Sequence, residues 1–550
     1  MATKNVLSLI AENKHSRSAF LDLGNCKLTK LPDELGDLVW LEELSLTNQW
    51  HDQGQWVLSQ NKDLENTLLT LGPVIGKLKN LKKLWLANTL VSEIGGIEHL
   101  SSLELLDLYC CRVDNLKPLS KLVQLQHLNI ARTDVSDLSP LQSLPNLKTL
   151  LFQYTQIRDL SPLMNMLSLE NVKLNGRYDD QIDFEPIGRL CNLKRLNIAN
   201  NDLKSIEFLK DLKNLEVLNL QETEVSDISV LGNLPSLQEV NISETKVYDF
   251  SVLSNAKDLH TLKFTGERQR KYECLHDLTN LKCLDFSNSY LTDLSCLNKL
   301  TQLETLDISR SFATNLQPLS WLSHLTDIKL SSIREDEFSP NSYPVLDLTP
   351  LKELKQLNKL TISSNRNIES FDFIAGLFNL QELDCSYTNI QNLDAISNLS
   401  NLKECNFSNT KITSLIGLQN AKKITKLNIR KTAIKDLSPL KHLSRLKELD
   451  ASGTKISNLG PLKNLLSLEK LDASQTPAKK SKLPCERLNS KFQIMRKAQL
   501  ILGIIFGISG VGRLWLWHDG LGNDFGLYLG LALCIGSVLT LWTAINKNLN

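Results

Sequence analysis

Apolar and polar positions alternate along most of this chain in one recurring order. It is clearest from Leu122 to Leu141, which reads L-V-Q-L-Q-H-L-N-I-A-R-T-D-V-S-D-L-S-P-L. The first apolar residue of the central L-x-L falls at Leu84, Leu106, Leu128, Leu150 and Val172, each 22 residues after the last. After a step of 24 it resumes at Leu196 and runs through Leu218, Val240, Leu262, Leu284 and Leu306 to Ile328. Later copies begin at Leu360, Leu383, Cys405, Leu427, Leu449 and Leu471, and two earlier ones at Leu21 and Leu44, twenty in all. Only Leu, Ile, Val and Cys fill this slot, the substitution set of a buried position. A fixed period of this kind predicts a solenoid, in which each repeat packs only on its neighbours.

Within a repeat, the alternation in L-x-L predicts a short strand with its apolar residues inward and its polar residues outward. Stacked strands would form a parallel sheet, and no single strand of this length is stable alone. Five residues after the first Leu comes a small polar residue, among them Thr133, Thr155, Thr223, Thr245, Ser289, Ser311, Asn365, Thr388, Thr410, Thr432 and Thr454. The chain must turn there while staying buried, and a short polar side chain can satisfy the backbone groups the turn leaves unpaired. The D-L-x-P-L element follows, at Asp137–Leu141, Asp159–Leu163, Asp347–Leu351 and Asp436–Leu440. Asp or Ser can cap a helical turn, and Pro suits its first residues.

This D-L-x-P-L within 22 residues resembles the internalin-type bacterial leucine-rich repeat. The resemblance covers most of residues 75 to 476 and implies an α/β solenoid, an arc or horseshoe with a parallel sheet on its concave side. Thr replaces the Asn usual in such repeats at the turn. The leading copies, L-D-L-G-N-C-K-L-T-K-L-P-D-E-L and L-V-W-L-E-E-L-S-L-T-N-Q, are similar to those of bacterial signalling proteins, some of which carry Roco-type GTPase domains. No G-x-x-x-x-G-K-[ST] occurs, so that activity does not carry over.

The regularity makes its interruptions visible. Residues 49–72 hold Trp50, His51 and Trp56, and read either as a lengthened repeat whose convex helix buries both Trp or as a binding loop. Residues 175–186 carry Arg177, Tyr178, Asp179 and Asp180, and residues 331–344 carry Glu335, Asp336 and Glu337. The acidic triplet suits a cation or a basic partner, or simply a solvated loop; the basic run Glu267–Lys271 reads as solvated surface.

On the sheet, the outward rows Asp285, Asp307, Asp384, Asn406, Asn428, Asp450, Asp472 and Ser287 through Ser474 predict a polar, somewhat acidic C-terminal half. The N-terminal half carries larger groups: Trp85, Tyr109, His127, Gln153 and Arg195. Aromatic and Arg side chains dominate binding hot spots, so a protein partner is expected there, with Trp50 and Trp56 of the insertion as further candidates.

After residue 476 the pattern stops. Residues 477–497 are basic, with Lys479, Lys480, Lys482, Arg487, Lys491, Arg496 and Lys497 against Glu486. Two apolar runs follow, Ala498–Trp517 and Phe525–Ile545, joined by a short loop. Each is long enough to span the ~30 Å hydrocarbon core as a helix, so residues 498–545 are expected to form an α-helical transmembrane hairpin. Trp515, Trp517, Tyr528 and Trp542 suit interfacial anchors, and Gly503-x-x-x-Gly507 and Gly526-x-x-x-Gly530 permit close helix packing. Arg513, near the end of the first run, can snorkel to the interface or face a pore or partner helix. The basic flank should attract anionic lipid, and with Lys547 it places the solenoid and C-terminus in the cytoplasm.

The domain reading is therefore an N-terminal cap at 1–19, a solenoid at 20–476, a basic linker at 477–497 and the hairpin at 498–545. The first residues, with Lys4, Glu12, Lys14, His15 and Arg17, do not read as a secretory signal. Net charge is +1, which offers no global reason to expect a nucleic-acid partner. The eleven cysteines form no C-x-x-C pair and read as reduced small hydrophobes, with no metal and no cofactor implied. His residues are isolated and no catalytic motif occurs, so an enzyme is not expected. The leading functional expectation is a bacterial membrane-anchored recognition protein that binds a protein ligand. Alternatives are a defence or toxin sensor-effector whose hairpin perturbs the membrane, and a secreted effector that inserts into a host membrane.

Overall fold

The computed structural model describes residues 6–478, except 53–54, 63, 177–181, 267–271 and 335–343. Every described residue belongs to one compact unit. Arg177–Asp180, Glu267–Lys271, Glu335–Glu337, Gly503, Gly507, Arg513, Gly526 and Gly530 lie outside the described residues. Among the described residues no helix is long and apolar enough to cross a membrane.

Twenty short strands stack into one parallel sheet, each paired in the same register with the next. Leu106 sits opposite Leu128, Leu128 opposite Leu150, and Leu150 opposite Val172. The longer steps keep that register, so Val172 meets Leu196, Ile328 meets Leu360 and Leu44 meets Leu84. The extra residues are accommodated outside the sheet, because a one-residue slip would turn every core side chain to solvent.

On the far side of each strand the chain makes a 3₁₀ turn. In Ser139–Leu141, Ser161–Asn165, Thr349–Glu353 and Ser438–His442 the Pro stands in the first two positions. The preceding carboxylate accepts the backbone N–H two residues on, Asp137 from Ser139 and Asp436 from Ser438, each at 2.8 Å. The Ser139 and Ser438 hydroxyls, and after them these backbone bonds, hold both carboxyls below the usual Asp range. Between sheet and turns runs one continuous core, with Leu119, Leu122, Leu125, Leu128, Ile130, Val135 and Leu138 contributed by a single repeat. Each such side chain contributes roughly 1.5–3 kcal/mol on burial.

The Thr position does what its chemistry implied. Thr89, Thr133, Thr155, Thr223, Thr245, Thr388, Thr410, Thr432, Thr454 and Thr476 each donate a hydroxyl to the carbonyl three residues back, at 2.6–2.9 Å. Asn365 spans further, donating to Ile362 and, at 2.7 Å, to Leu330 of the previous repeat. The residue before this position is left-handed in nearly every repeat, as at Arg132, Glu222, Tyr387 and Lys431, and among the left-handed ones it is Gly only at Gly266 and Gly453. A second ladder holds the outer turns. Asn80, Asn146, Asn192, Asn214, Asn280, Asn379 and Asn401 each donate to a carbonyl of the preceding repeat at 2.7–2.9 Å.

The N-terminal end is closed by the helix Val6–Ser16, which buries Ile10 in the core. Its Asn13 donates to the Phe20 carbonyl at 3.0 Å and accepts from Trp40 Nε1, while Arg17 lies 3.9 Å over the Trp40 ring. The first edge strand is thus partly satisfied by a side chain rather than left as an open template. Cys385 and Cys405 fill core slots, and burial raises both thiols well above their ordinary range.

Candidate binding surface

The outward face of the sheet is built from three rows, and its middle row is committed to the backbone. Asp107, Asn129, Asn197, Asn219, Asn241, Asp285, Asp307, Asp384, Asn406, Asn428, Asp450 and Asp472 each accept the N–H two residues on, at 2.8–3.2 Å. Such Asx turns suit Asp and Asn because the short side chain mimics a backbone carbonyl. Beside Lys263 and Lys329, which replace them in two repeats, a neighbour takes over. Ser243 Oγ accepts Thr265 N–H beside Lys263, and Ser309 Oγ accepts Ser331 N–H beside Lys329. The polar row read from the sequence as surface decoration is therefore largely structural.

The insertion at 49–72 forms neither a convex helix nor a free loop. Gln49–Asp52 and Gln55–Leu58 pair as an antiparallel hairpin beside the first strands of the sheet. Trp50 stacks between Phe20 and Trp85, with ring centroids at 5.6 and 5.8 Å. Asp52 accepts from Lys83 Nζ at 3.1 Å, and Lys83 also meets Glu43. At the hairpin's end, Ser59 Oγ and Gln60 N–H both bond the Asp22 carboxylate. Downstream, Asn66 takes the buried turn role, donating to Leu23 and Leu46 carbonyls and accepting Leu28 N–H.

This docking sorts the expected site residues. Trp85 and Trp50 are 1% and 5% exposed, so the two aromatic anchors serve each other and offer no surface. Trp56, by contrast, is 70% exposed and meets His51 edge-on at 5.5 Å. The open face begins beyond the hairpin, where Asp107 and Tyr109 are half-buried and His127 and Arg195 are exposed. Burial pushes the Asp107 carboxyl up to about 6, against the opposing effect of its bonds from Tyr109 N–H and Asn129 Nδ2. Burial, then the nearby Lys148, lowers His127 below the ordinary imidazole value. Gln153 is half-buried, and its Oε1 has no hydrogen-bond partner among the described residues; the same holds for Asn175 Oδ1 on the next repeat.

A model of leucine-rich repeats in pairs matches residues 123–165 and 191–233. The chain thus carries leucine-rich repeats. Among solved structures, TLR13 in its complex with ssRNA13 is similar at 20% identity, over 84% of this chain and 70% of that one, with a TM-score of 0.61. At this identity the likeness shows the leucine-rich-repeat fold alone. An internalin of Listeria monocytogenes matches at 23% identity over 68% of this chain and 88% of its own, TM-score 0.36. A leucine-rich-repeat protein of Leptospira interrogans matches at 18% over 89% and 96%, TM-score 0.41. No curated protein matches the chain in sequence.

In the C-terminal half of the sheet face four cations are matched to acids one strand away, while Lys263 and Arg430 have no ion pair among the described residues. Lys359 meets Glu382, Lys426 meets Glu404 and Lys470 meets Glu448, at 2.6–2.9 Å, and Lys329 meets Asp307 at 3.3 Å. Exposed pairs of this kind contribute little each, about 0–1 kcal/mol, but they neutralise the surface. Lys173 and Arg195, on adjacent strands of the N-terminal half, have no such pair among the described residues. The sequence reading included Arg195 and missed Lys173; the signal lay in comparing each cation with the residues 22–24 positions away, its neighbours across the sheet. Among the described residues no group of His, Cys, Asp or Glu could hold a metal ion.

Proposed function

We propose that this leucine-rich-repeat protein is a non-enzymatic recognition module that holds a protein partner on its sheet face, beyond the hairpin. The observation that carries this reading is the change in the sheet face along its length. From Leu105 to Val217 it is open, bears Leu105, Leu151, Val217, Tyr109 and His127, and leaves Lys173 and Arg195 without an ion pair among the described residues. Towards the C-terminus it is polar, with four cations matched to acids. A mixed apolar and polar surface with Arg and aromatic groups is what protein interfaces use. Trp56 and His51 would wall off the near end of the bound segment. Photo-crosslinkers placed at His127 and at Lys426 of the full chain test this. Adducts at His127 but not Lys426 are expected; the reverse pattern would overturn the assignment.

We further propose that residues 498–545 anchor the module to a membrane, with the solenoid and C-terminus on the cytoplasmic side. The two apolar runs, of which the second carries no charge and the first only Arg513, and the basic segment before them support this. Carbonate-resistant membrane association of the full chain, lost on truncation at residue 480, is the expected result. Extraction of the full chain by carbonate would refute it. The paired glycines and Arg513 favour one second reading, in which partner binding clusters the hairpins and perturbs the bilayer. Dye release from liposomes on crosslinking the solenoids would support that; retention of dye would leave a simple anchor.

A further inference from the structure

We propose that the partner segment held between Leu105 and Val217 is acidic and extended, with carboxylates on Lys173 and Arg195 and backbone N–H groups on Gln153 Oε1 and Asn175 Oδ1. This rests on the reading that the sheet face binds protein, and it specifies the partner's chemistry.

The charge pattern is the first ground. Across the strands Leu105–Asp107 to Val217–Asn219, the outward rows contain one acid, Asp107, which its Asx turn engages. The neighbouring Glu170 is taken by Lys194 at 2.8 Å. Lys173 faces Leu151 and Asn197 across the sheet, and Arg195 faces Asn171 and Val217. Neither therefore has an acid beside it, whereas Lys329, Lys359, Lys426 and Lys470 each have one. Two adjacent cations with no acid opposite either of them on the sheet are complementary to external carboxylates. Arg binds them bidentately, Lys as a point charge.

The second ground is independent of charge. Gln153 and Asn175 occupy equivalent positions on successive repeats, and their side-chain oxygens are buried without a hydrogen-bond partner among the described residues. Buried acceptors of this kind are ordinarily satisfied. Rotation of either half-buried amide would bring its oxygen to the face beside two open cations, where a ligand that carries both donors and negative charge, as an acidic peptide backbone does, would satisfy it. Spacing agrees. Lys173 and Arg195 lie diagonally on adjacent strands, on the order of 7 Å apart at their backbones. Alternate side chains of an extended peptide are separated by about 6.5–7 Å. Leu151 and Val217 would contact the apolar parts of the segment.

A nucleic acid fits less well. Phosphate binding needs a stripe of cations following the backbone, and here two stand among Leu105, Leu151 and Val217 and beside acceptor oxygens that would oppose phosphate. His127 adds no charge at neutral pH, since burial and Lys148 keep it deprotonated.

The test uses the full chain reconstituted in nanodiscs and a phage-displayed library of random peptides. Wild-type protein should select peptides enriched in Asp and Glu at alternating positions. The strongest of these, as a synthetic peptide, should bind K173E/R195E at least about 100-fold more weakly. It should bind the control K359E/K426E unchanged, with circular dichroism confirming that both variants fold. K173E/R195E should in turn select Lys- and Arg-rich peptides. Selection without acid enrichment, or equal loss in the control, overturns the proposal. If crosslinks still form at His127 in that case, the protein-binding reading survives; if none form, both fall. A labelled single-stranded oligonucleotide that binds wild type but not K173E/R195E, and displaces the peptide, would also overturn it.

Discussion

Removing the Trp50 ring should undock the hairpin while the solenoid stays folded. Trp50 is 5% exposed and wedged between Phe20 and Trp85 at 5.6 and 5.8 Å. Truncation of a buried Trp to Ala costs about 3–5 kcal/mol, the two aromatic contacts included. What remains to hold the hairpin includes the Lys83–Asp52 pair, worth about 1 kcal/mol at most on a partly exposed surface, the bonds of Ser59 and Gln60 to the Asp22 carboxylate, and those of Ser59 and Asn61 to the Gly24 and Asp22 carbonyls. The hairpin makes no strand of the main sheet, so its loss removes no repeat-to-repeat register. Local opening should therefore become easier by about 3 kcal/mol or more, a roughly 100-fold rise in amide exchange. Hydrogen exchange by mass spectrometry on Trp50→Ala should show that rise over residues 49–58. Amides such as Leu108 and Ile130, bonded between repeats, should be unchanged. Trp85 should become accessible to acrylamide quenching. Unchanged protection of the hairpin would refute the stacking argument, and a uniform loss across all repeats would refute its independence.

Three further outcomes follow from local chemistry. Thr410→Val keeps the shape but leaves the Phe407 carbonyl, bonded at 2.6 Å, without its donor, so urea unfolding should show a loss of about 1–3 kcal/mol, which Thr410→Ser should largely avoid. Gly453 has φ +69°, and its added Cβ would lie 3.2 Å from Lys431 Cγ, so Gly453→Ala should cost about 1–2 kcal/mol by the same assay, whereas Glu222→Gly at φ +53° should be neutral or slightly stabilising. Asp107 has a folded value near 6, above the unfolded 3.8, so its ionisation opposes folding. Its penalty is full above about pH 6 and relieved as pH falls towards 4, so local stability around Asp107 should rise on acidification through that window, by roughly 2–3 kcal/mol. Asp107→Asn keeps the Asx turn that Asn129 and Asn197 make natively, and should abolish that pH dependence as read by thermal melting; a retained dependence would place its source elsewhere.

Much of this protein is legible from its sequence because a repeat is a local rule restated twenty times. The core slots, the parallel register, the 3₁₀ turns under D-L-x-P-L and the bonding role of Thr410 and its equivalents depend only on neighbours in one repeat or the next. Even the substitution of Cys405 into a Leu slot is readable, since the slot's size and polarity are set by the period. The functional surface is less legible because it depends on what breaks that rule. Trp50 and Trp85 are both aromatic and both lie at outward or inserted positions, so the sequence offers them as binding anchors. Only the folded hairpin shows that they bury one another and leave Trp56 outside. Asp285 and its row look like surface charge, and only the backbone geometry shows each carboxylate or amide turned back onto the N–H two residues on. Lys173 and Lys426 are both outward-facing cations of a strand. What separates them is the residue across the sheet, Leu151 and Asn197 for one and Glu404 for the other, and that pairing exists only when repeats stack. Periodicity in the chain thus determined the scaffold, whereas contacts between repeats and with the inserted hairpin decided which part of its face is free to bind.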